Sequence, residues 1–342
     1  MMNRPRVFIT GGTGFIGSHL LPKLYQQGYA LTVLVRSPSL KKIVGRPDLP
    51  PETTLVTGDL TQPESYQSAL KGHQALIHMA ADYRVGLPAS SSARRTMYQT
   101  NVTATQDLFD AAQQAAIPQM IYMSTTAALG ETQGSYPDEI HQHNGVFRCY
   151  YEETKQIAHY FLQQKQQQGL PVNIAIPGGV FGSGDNSVLS QTIRAFFRDK
   201  IPFQIATTSR FQLCHVDHLC DGLIQLLNPD IQRQNFLFTG KDFSMPMLFT
   251  LMAEMGKRKI PPFKSASSLN ALAWLMDKVS SLGPQMPLSQ EALRIMDGST
   301  YMYCSDKAKR QLNWSEGDPV QELTAFIQTL ADEVAAENRS AK

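Results

Sequence analysis

Short apolar runs alternate with longer segments of helical spacing through the first half of the chain. RVFIT, ALTVLV, TLVTGDL, ALIHMAA, QMIYMST and LPVNIAIP are rich in β-branched and aromatic residues and read as strands. Between them, Phe15 to Gln27, PESYQSALKG, RRTMYQTNVTATQDLFDAAQQAA and Tyr150 to Gln168 carry apolar positions at helical spacing. PESYQSALKG closes on Gly72, a C-cap signal. Strand–helix alternation predicts an α/β fold with a doubly wound parallel sheet and helices on both faces. After Pro177 the rhythm changes. PGGVFGSGD opens a mixed region, HVDHLCDGLIQLL and QNFLFTG predict a helix and strand that rejoin the sheet, and Met245 to about Ser315 is helical but irregular. The polar tail AAENRSAK is expected to fray.

Composition narrows the class without naming a chemistry. The 342 residues are 42% hydrophobic and 18% charged, enough apolar surface for one large or two modest cores. A formal net charge of +2 gives no bulk electrostatic case for nucleic acid or membrane binding. Cys149, Cys214, Cys220 and Cys304 form no metal-binding spacing and are expected to be reduced, as in cytoplasm. The start of the chain lacks signal-peptide architecture, and LNALAWLM is far shorter than the ~20 residues a membrane span needs. The expected partner is a small molecule, with no metal.

Gly11, Gly14 and Gly17 follow the first strand in VFITGGTGFIGSHL. At the carboxyl end of a strand in a βαβ unit, such glycines let backbone approach a pyrophosphate, and the next helix points its N–H groups at it. Arg36 ends the second strand, about 20 residues on, where an acid would hold the ribose of NAD and an arginine suits the 2′-phosphate of NADP. Lys41 and Lys42 lie close behind. The expected cofactor is NADP, with NAD possible.

These residues resemble those of the extended short-chain dehydrogenase/reductase (NAD-dependent epimerase/dehydratase) family. TGGTGFIG is similar to its T-G-x-x-G-x-x-G, GDL to its adenine-contacting turn, HMAA to the segment lining the cofactor ribose, and NVTATQDLFDAA to its N-V-x-G-T; HVDHLCDG and SDKAKRQLNW match in order. The resemblance spans almost the whole chain. It implies a Rossmann-type NADP-binding domain over 1–176 with 205–242 and 316–334, and a smaller, mostly helical substrate lobe over 177–204 with 243–315. It implies cofactor contacts at Gly11, Thr13, Gly14, Phe15, Ile16, Gly17, Arg36, Asp59, Leu60, Ala80 and Ala81. In PGGVFG it adds Pro177 and Val180, where the nicotinamide carboxamide meets backbone. A homodimer through the helices around 92–116 and 150–168 is a further expectation.

YYEETK raises the question of a catalytic pair. A free tyrosine has a pKa of about 10, and a nearby ammonium favours phenolate and lowers it. Residues i and i+4 share a helix face, so Tyr151 and Lys155 can point together, whereas Tyr150 and Lys155 diverge. Tyr303 and Lys307 repeat the spacing. The family's tyrosine follows the fifth strand, which selects Tyr151 and Lys155 as catalytic and as cofactor contacts, and leaves Tyr303 as a packing residue. The resemblance also assigns the catalytic hydroxyl to Thr125, with Ser124 and Thr126 beside it, and gives Asn101 a role in fixing backbone.

Sugar dehydratases of this family carry an Asp-Glu pair where this chain has Thr126-Ala127, so an elimination lacks its acid and base. Nucleotide-sugar epimerases place an arginine where this chain has Phe211, with Arg210 one step off, although Arg294 stands where such enzymes often hold a second phosphate-binding arginine. AADYRVG resembles the dihydroflavonol-reductase-like branch, which includes hydroxysteroid-type members, and puts Asp82, Tyr83 and Arg84 toward substrate with Thr126, Arg210 and Arg294. Phe263, Leu272, Trp274, Leu275, Met276 and Met286 could line an apolar pocket or fill a small core. The expected activity is reduction of a ketone or aldehyde on a fairly apolar molecule. A nucleotide-sugar epimerase and a non-catalytic NADP-binding regulator are the alternatives.

Overall fold

The computed structural model describes residues 4–37, 39, 46–87, 91–206, 208–280, 289–296 and 298–340. Lys41, Lys42 and Met286 lie outside them. Seven parallel strands form the main sheet: β1 (Arg6–Thr10), β2 (Ala30–Val35), β3 (Thr54–Thr57), β4 (Ala75–His78), β5 (Gln119–Met123), β6 (Val172–Pro177) and β10 (Asn235–Phe238). Their order is β10-β6-β5-β4-β1-β2-β3, every neighbouring pair parallel. The chain reverses its direction of travel across the sheet between β1 and β4. A crevice opens there at the carboxyl ends of the strands, where doubly wound sheets bind ligands.

Side chains on β1 point alternately to two cores, which explains its unbroken apolar run. Val7 and Ile9 pack with Leu20 and Leu24 of α1 (Phe15–Gln26) and Leu219 and Leu223 of α6 (Val216–Gln225). Phe8 packs on the opposite face with Leu108 and Phe109 of α3 (Ala104–Gln114) and Ala158 and Leu162 of α4 (Tyr150–Gln167).

A second sheet belongs to the lobe: β9 (Arg210–His215), expected with the nucleotide domain, pairs with β7 (Gly179–Phe181), β11 (Lys241–Phe243) and β13 (Thr300–Tyr301), while β8 (Gln204–Ala206) pairs with β12 (Phe263–Ser265). A third core joins α5 (Val188–Phe197), α7 (Met245–Gly256) and α11 (Pro319–Ser340) through Phe196, Phe249, Phe326 and Ile327. Thus residues 316–334, expected with the nucleotide domain, pack on the lobe, because the apolar stripe Leu323–Ile327–Leu330–Val334 faces α5 and α7. Conversely α10 (Asp306–Leu312) and Trp314, expected in the lobe, pack into the first core of the main sheet.

Three local readings differ from expectation. PESYQSALKG forms two 3-10 turns, Pro63–Ser65 and Gln67–Leu70, separated at Tyr66, whose ring is wholly buried and whose backbone leaves helical space (φ −139°). The segment around 92–116 is α2 (Ser92–Tyr98), a π-helical turn (Gln99–Thr103) and α3. The tail does not fray before Ser340: Val334 is buried, and Glu333 and Glu337 pair with Arg194 of α5 and with Arg198 just after it.

Candidate active site

The crevice between β1 and β4 is shaped by backbone contacts that only glycine permits. Gly11 has φ +74°, and a Cβ there would lie 2.6 Å from the Ala80 nitrogen and 2.8 Å from the Met79 carbonyl carbon. A Cβ on Gly17, in the first turn of α1, would sit 2.3 Å from the Gly12 oxygen. Helix α1 begins without a side-chain cap and without an acid in its first turn. Its first N–H groups, at Phe15 and Ile16, therefore aim positive partial charge past Thr13 and Gly14. An anion fits this cradle.

His78 braces the same end of the sheet. Its Nδ1 shares a 2.6 Å hydrogen bond with Thr10 Oγ1, and its Nε2 a 2.9 Å bond with Thr105 Oγ1. Burial pushes its pKa down to about 3, so the ring is neutral and structural. Ala80 and Ala81 follow it into the crevice, Ala80 half-buried and Ala81 exposed.

Arg36 is exposed at the carboxyl end of β2, and Asp59 follows the neighbouring β3. Asp59 Oδ1 accepts from the Thr61 N–H (2.9 Å) and hydroxyl (2.7 Å). The hydroxyl contact is the largest influence holding its carboxyl below the usual range, and the Arg36 charge acts in the same direction. Leu60 is buried beneath this turn. The sequence reading missed Arg46, whose Nη1 donates to the Thr13 carbonyl at 3.1 Å while Asp48 accepts from its Nε at 2.9 Å.

Tyr151 and Lys155 lie one turn apart on α4, which packs against the turn after β5. Lys155 Nζ donates to the Met123 carbonyl at 2.9 Å and lies 4.4 Å above the Tyr122 ring. Burial pushes its pKa down to about 7. The Tyr151 ring meets Tyr83 edge-on with centroids 4.7 Å apart. Burial drives the Tyr151 phenol well above its ordinary pKa, the reverse of the lowering expected from Lys155. The Lys155 ammonium is turned to the Met123 carbonyl.

Thr125 is extended (φ −167°), and its hydroxyl accepts from the Ala127 N–H at 3.3 Å, which leaves its own hydrogen to donate elsewhere. Ser124 instead turns inward to His159 Nδ1 at 2.8 Å. Thr126 is buried in the same turn. Tyr150 diverges from Lys155 as helical geometry requires, its ring lying 4.7 Å from the Arg94 guanidinium. The rival pair is split. Tyr303 is buried with its hydroxyl donating to the Gly130 carbonyl, and Lys307 Nζ donates to the Asn235 carbonyl at 2.8 Å and lies over Phe236.

The proposed substrate residues divide into groups. Tyr83 stands against Tyr151, while Asp82 and Arg84 pair with each other. Asn101, in the π-helical turn, holds the Asp82 backbone at both ends: its Oδ1 accepts from the Asp82 N–H (2.7 Å) and its Nδ2 donates to the carbonyl (2.9 Å). Arg210 is exposed on β9 and committed to Asp242 at 2.8 Å, with Tyr136 alongside. Arg294, on α9 (Gln290–Met296), is exposed and donates to the Arg148 carbonyl at 3.3 Å. The two arginines stand on separate elements, each with a partner in the chain. Pro177 ends β6 in the core, and half-buried Val180 on β7 pairs with Cys214 of β9.

Two buried carboxylates that the sequence did not single out organise the start of α4. Glu152 accepts from the Arg148 N–H (2.6 Å) and the Tyr301 hydroxyl (2.9 Å), and contacts His143 Nε2 at 3.1 Å. Glu291 on α9 accepts from the N–H groups of Gly86 (2.5 Å) and Tyr150 (2.9 Å) and from Arg94 (3.2 Å). Phe263, Leu272, Trp274 and Leu275 do not fill a core: they are 42–54% exposed, and Met276 is half-buried.

A profile of the NAD dependent epimerase/dehydratase family matches residues 7–236. A 3-beta-hydroxysteroid dehydrogenase of Mycolicibacterium neoaurum is 28% identical over 226 residues, 64% of this chain; the match spans 60% of that relative's length. A 4-hydroxy-2-methyl-3-oxo-4-farnesyl-3,4-dihydroquinoline-1-oxide ketoreductase of Stigmatella aurantiaca is 24% identical over 319 residues, 91% of this chain and 92% of the relative. A protein of Synechocystis sp. named as a dihydroflavonol 4-reductase is 32% identical over 209 residues, 58% of this chain and 57% of the relative. The solved structure of gox2253 superposes with a TM-score of 0.75 at 26% identity, covering 96% of this chain and 98% of the other.

Proposed function

Since this chain belongs to the NAD dependent epimerase/dehydratase family, we propose that it is an NADP-dependent oxidoreductase that reduces a ketone or aldehyde on a small, fairly apolar substrate. The observation that carries the reading is the pair Tyr151 and buried Lys155, one helical turn apart beside the end of β5. When bound, the nicotinamide cofactor supplies the hydride. The phenol of Tyr151 donates the proton to the substrate oxygen, and the Thr125 hydroxyl donates a hydrogen bond to it. Lys155 holds the nicotinamide ribose and, once a ligand draws it from Met123, lends its charge to the phenolate left behind.

In this reading Gly11, Thr13, Gly14, Phe15, Ile16 and Gly17 hold the pyrophosphate. Arg36 takes the 2′-phosphate, Asp59 and Leu60 the adenine, Ala80 and Ala81 the ribose side, and Pro177 and Val180 the carboxamide. Tyr83 walls the substrate beside Tyr151, with Asp82, Arg84 and Thr126 near it. Thr126-Ala127 offers no acid–base pair for an elimination, and Arg210 is already held by Asp242, which argues against a diphosphate clamp there. Arg294 keeps a nucleotide-sugar epimerase as the second reading. The names of the ketoreductase and hydroxysteroid dehydrogenase relatives favour the first. The enzyme is placed in the cytoplasm, as a homodimer through the helices around 92–116 and 150–168, in the same reading.

The test offers NADPH or NADH with a panel of aromatic, steroid-like and aliphatic ketones, alongside UDP- and dTDP-sugars. Consumption of NADPH by one ketone class is expected. Epimer formation with no ketone consuming NADPH would overturn the assignment.

A further inference from the structure

Helix α8 (Ala266–Ser280) carries large apolar side chains on its covered side and on its open side. Ala266, Leu269 and Ala273 face inward, Leu269 and Ala273 against Leu293 of α9 with Phe203 and Ile205 alongside. Leu272, Trp274 and Leu275 are turned outward, 42%, 50% and 54% exposed. Ile260 and Phe263, just before the helix, are 45% and 54% exposed. Outward aromatic and leucine side chains gathered in one stretch mark a docking surface.

The charge of the same stretch identifies what docks. From residue 257 to 280 there are five basic residues, Lys257, Arg258, Lys259, Lys264 and Lys278, and one acid, Asp277. The whole chain carries only +2. Arg258 is paired with Asp199. The four lysines are exposed, with the Lys278 ammonium 3.9 Å from the Trp274 ring centroid. Outward Trp, Leu, Ile and Phe bordered by lysines is the pattern of a segment that lies in the interface of a membrane, its apolar side chains among the acyl boundary and its cations at anionic headgroups. Among the described residues no helix is long and apolar enough to cross a bilayer, so the contact is peripheral.

We propose that residues 257–278 form a reversible docking surface for a bilayer rich in anionic lipid. Through α9, whose Glu291 binds the N–H of Tyr150, this surface is joined to the mouth of the candidate active site. It would deliver an apolar substrate from the membrane; that last clause rests on the proposed function, whereas the docking itself does not.

Trp274 is a built-in reporter, because the chain's other tryptophan, Trp314, is buried. The purified full chain is mixed with phosphatidylcholine vesicles with and without phosphatidylglycerol, and binding is read by co-sedimentation and tryptophan emission. Expected are binding to the anionic vesicles, a blue shift, and release by salt. The double variant Leu272→Ser with Leu275→Ser, and separately Lys257→Gln with Lys259→Gln, should each weaken binding by about tenfold or more. Both alter exposed side chains, and circular dichroism checks that they fold. No sedimentation of the wild-type chain, equal binding to neutral vesicles, or a blue shift that follows protein concentration without vesicles would overturn the proposal; the last would make the occupant a second copy of the chain. Ketone turnover plays no part in this readout, so its failure and that of the proposed function are distinguishable.

Discussion

The carboxylate of Glu291 accepts the backbone N–H of Tyr150 at 2.9 Å, joining a lobe helix to the first turn of the helix that carries Tyr151. The same group accepts from Gly86 and Arg94, so one buried side chain sets the distance between the lobe, the loop bearing Tyr83 and the start of α4. Removing it strands two backbone donors and a guanidinium. Glu291→Ala is expected to lose on the order of 2 kcal/mol of stability. It should also cut turnover more than tenfold while NADPH affinity changes little, because the phosphate cradle lies on other elements. Urea unfolding, steady-state kinetics and cofactor titration check this; unchanged turnover would show that Tyr151 needs no support from the lobe.

Tyr151→Phe should abolish ketone reduction and keep cofactor binding, since the hydroxyl is needed for protonation and not for holding the nucleotide. Tyr303→Phe should keep turnover nearly intact and lose about 1 kcal/mol of stability, the usual cost of one internal hydrogen bond, here the one to the Gly130 carbonyl. An active Tyr151→Phe enzyme would rule out this proton donor.

Arg36 is exposed at the carboxyl end of β2, with Asp59 across the neighbouring strand end, and in the proposed function it separates the two cofactors. Arg36→Ala should weaken NADPH by about tenfold or more, a loss of roughly 1.5–3 kcal/mol, and leave NADH nearly unchanged. Titration of both cofactors against both proteins decides it. Tighter NADH than NADPH binding by the wild-type chain would remove the NADP preference.

What the sequence made legible was local. The strand runs, the glycines after β1 and the i,i+4 spacing of Tyr151 and Lys155 are short-range patterns, and the observed elements follow them. Glu291 was illegible because its partners Tyr150 and Gly86 lie 141 and 205 residues away. A glutamate in QEALRIM reads as a surface residue until the fold closes over it. Tyr66 shows a different failure: PESYQSALKG has helical spacing, but burying that ring breaks the helix into two turns. The outward leucines and Trp274 were illegible for a third reason. Periodicity counts apolar residues, and it does not tell a covered face from a bare one.

The pH dependence rests on Lys155. Burial pushes its pKa down to about 7, while in the unfolded chain a lysine titrates at about 10.4. Between those values the unfolded state binds more protons, so the ligand-free protein gains stability as pH rises from about 7 toward 10; below about 7 the cost of the buried charge is fully present. Lys155→Met should flatten that rise and be the more stable protein near neutrality. Reduction should show the opposite trend in the wild-type enzyme. Tyr151, its phenol pushed up by burial, stays protonated throughout. The charge on Lys155 is the group that is lost, so kcat/KM for the ketone should fall with one-proton slope as pH rises through about 7. Urea unfolding of both proteins across this range, with the wild-type pH–rate profile, tests both trends. A flat stability curve for the wild-type chain, or reduction that speeds up above neutrality, would mean that Lys155 keeps its proton and that another group governs the chemistry.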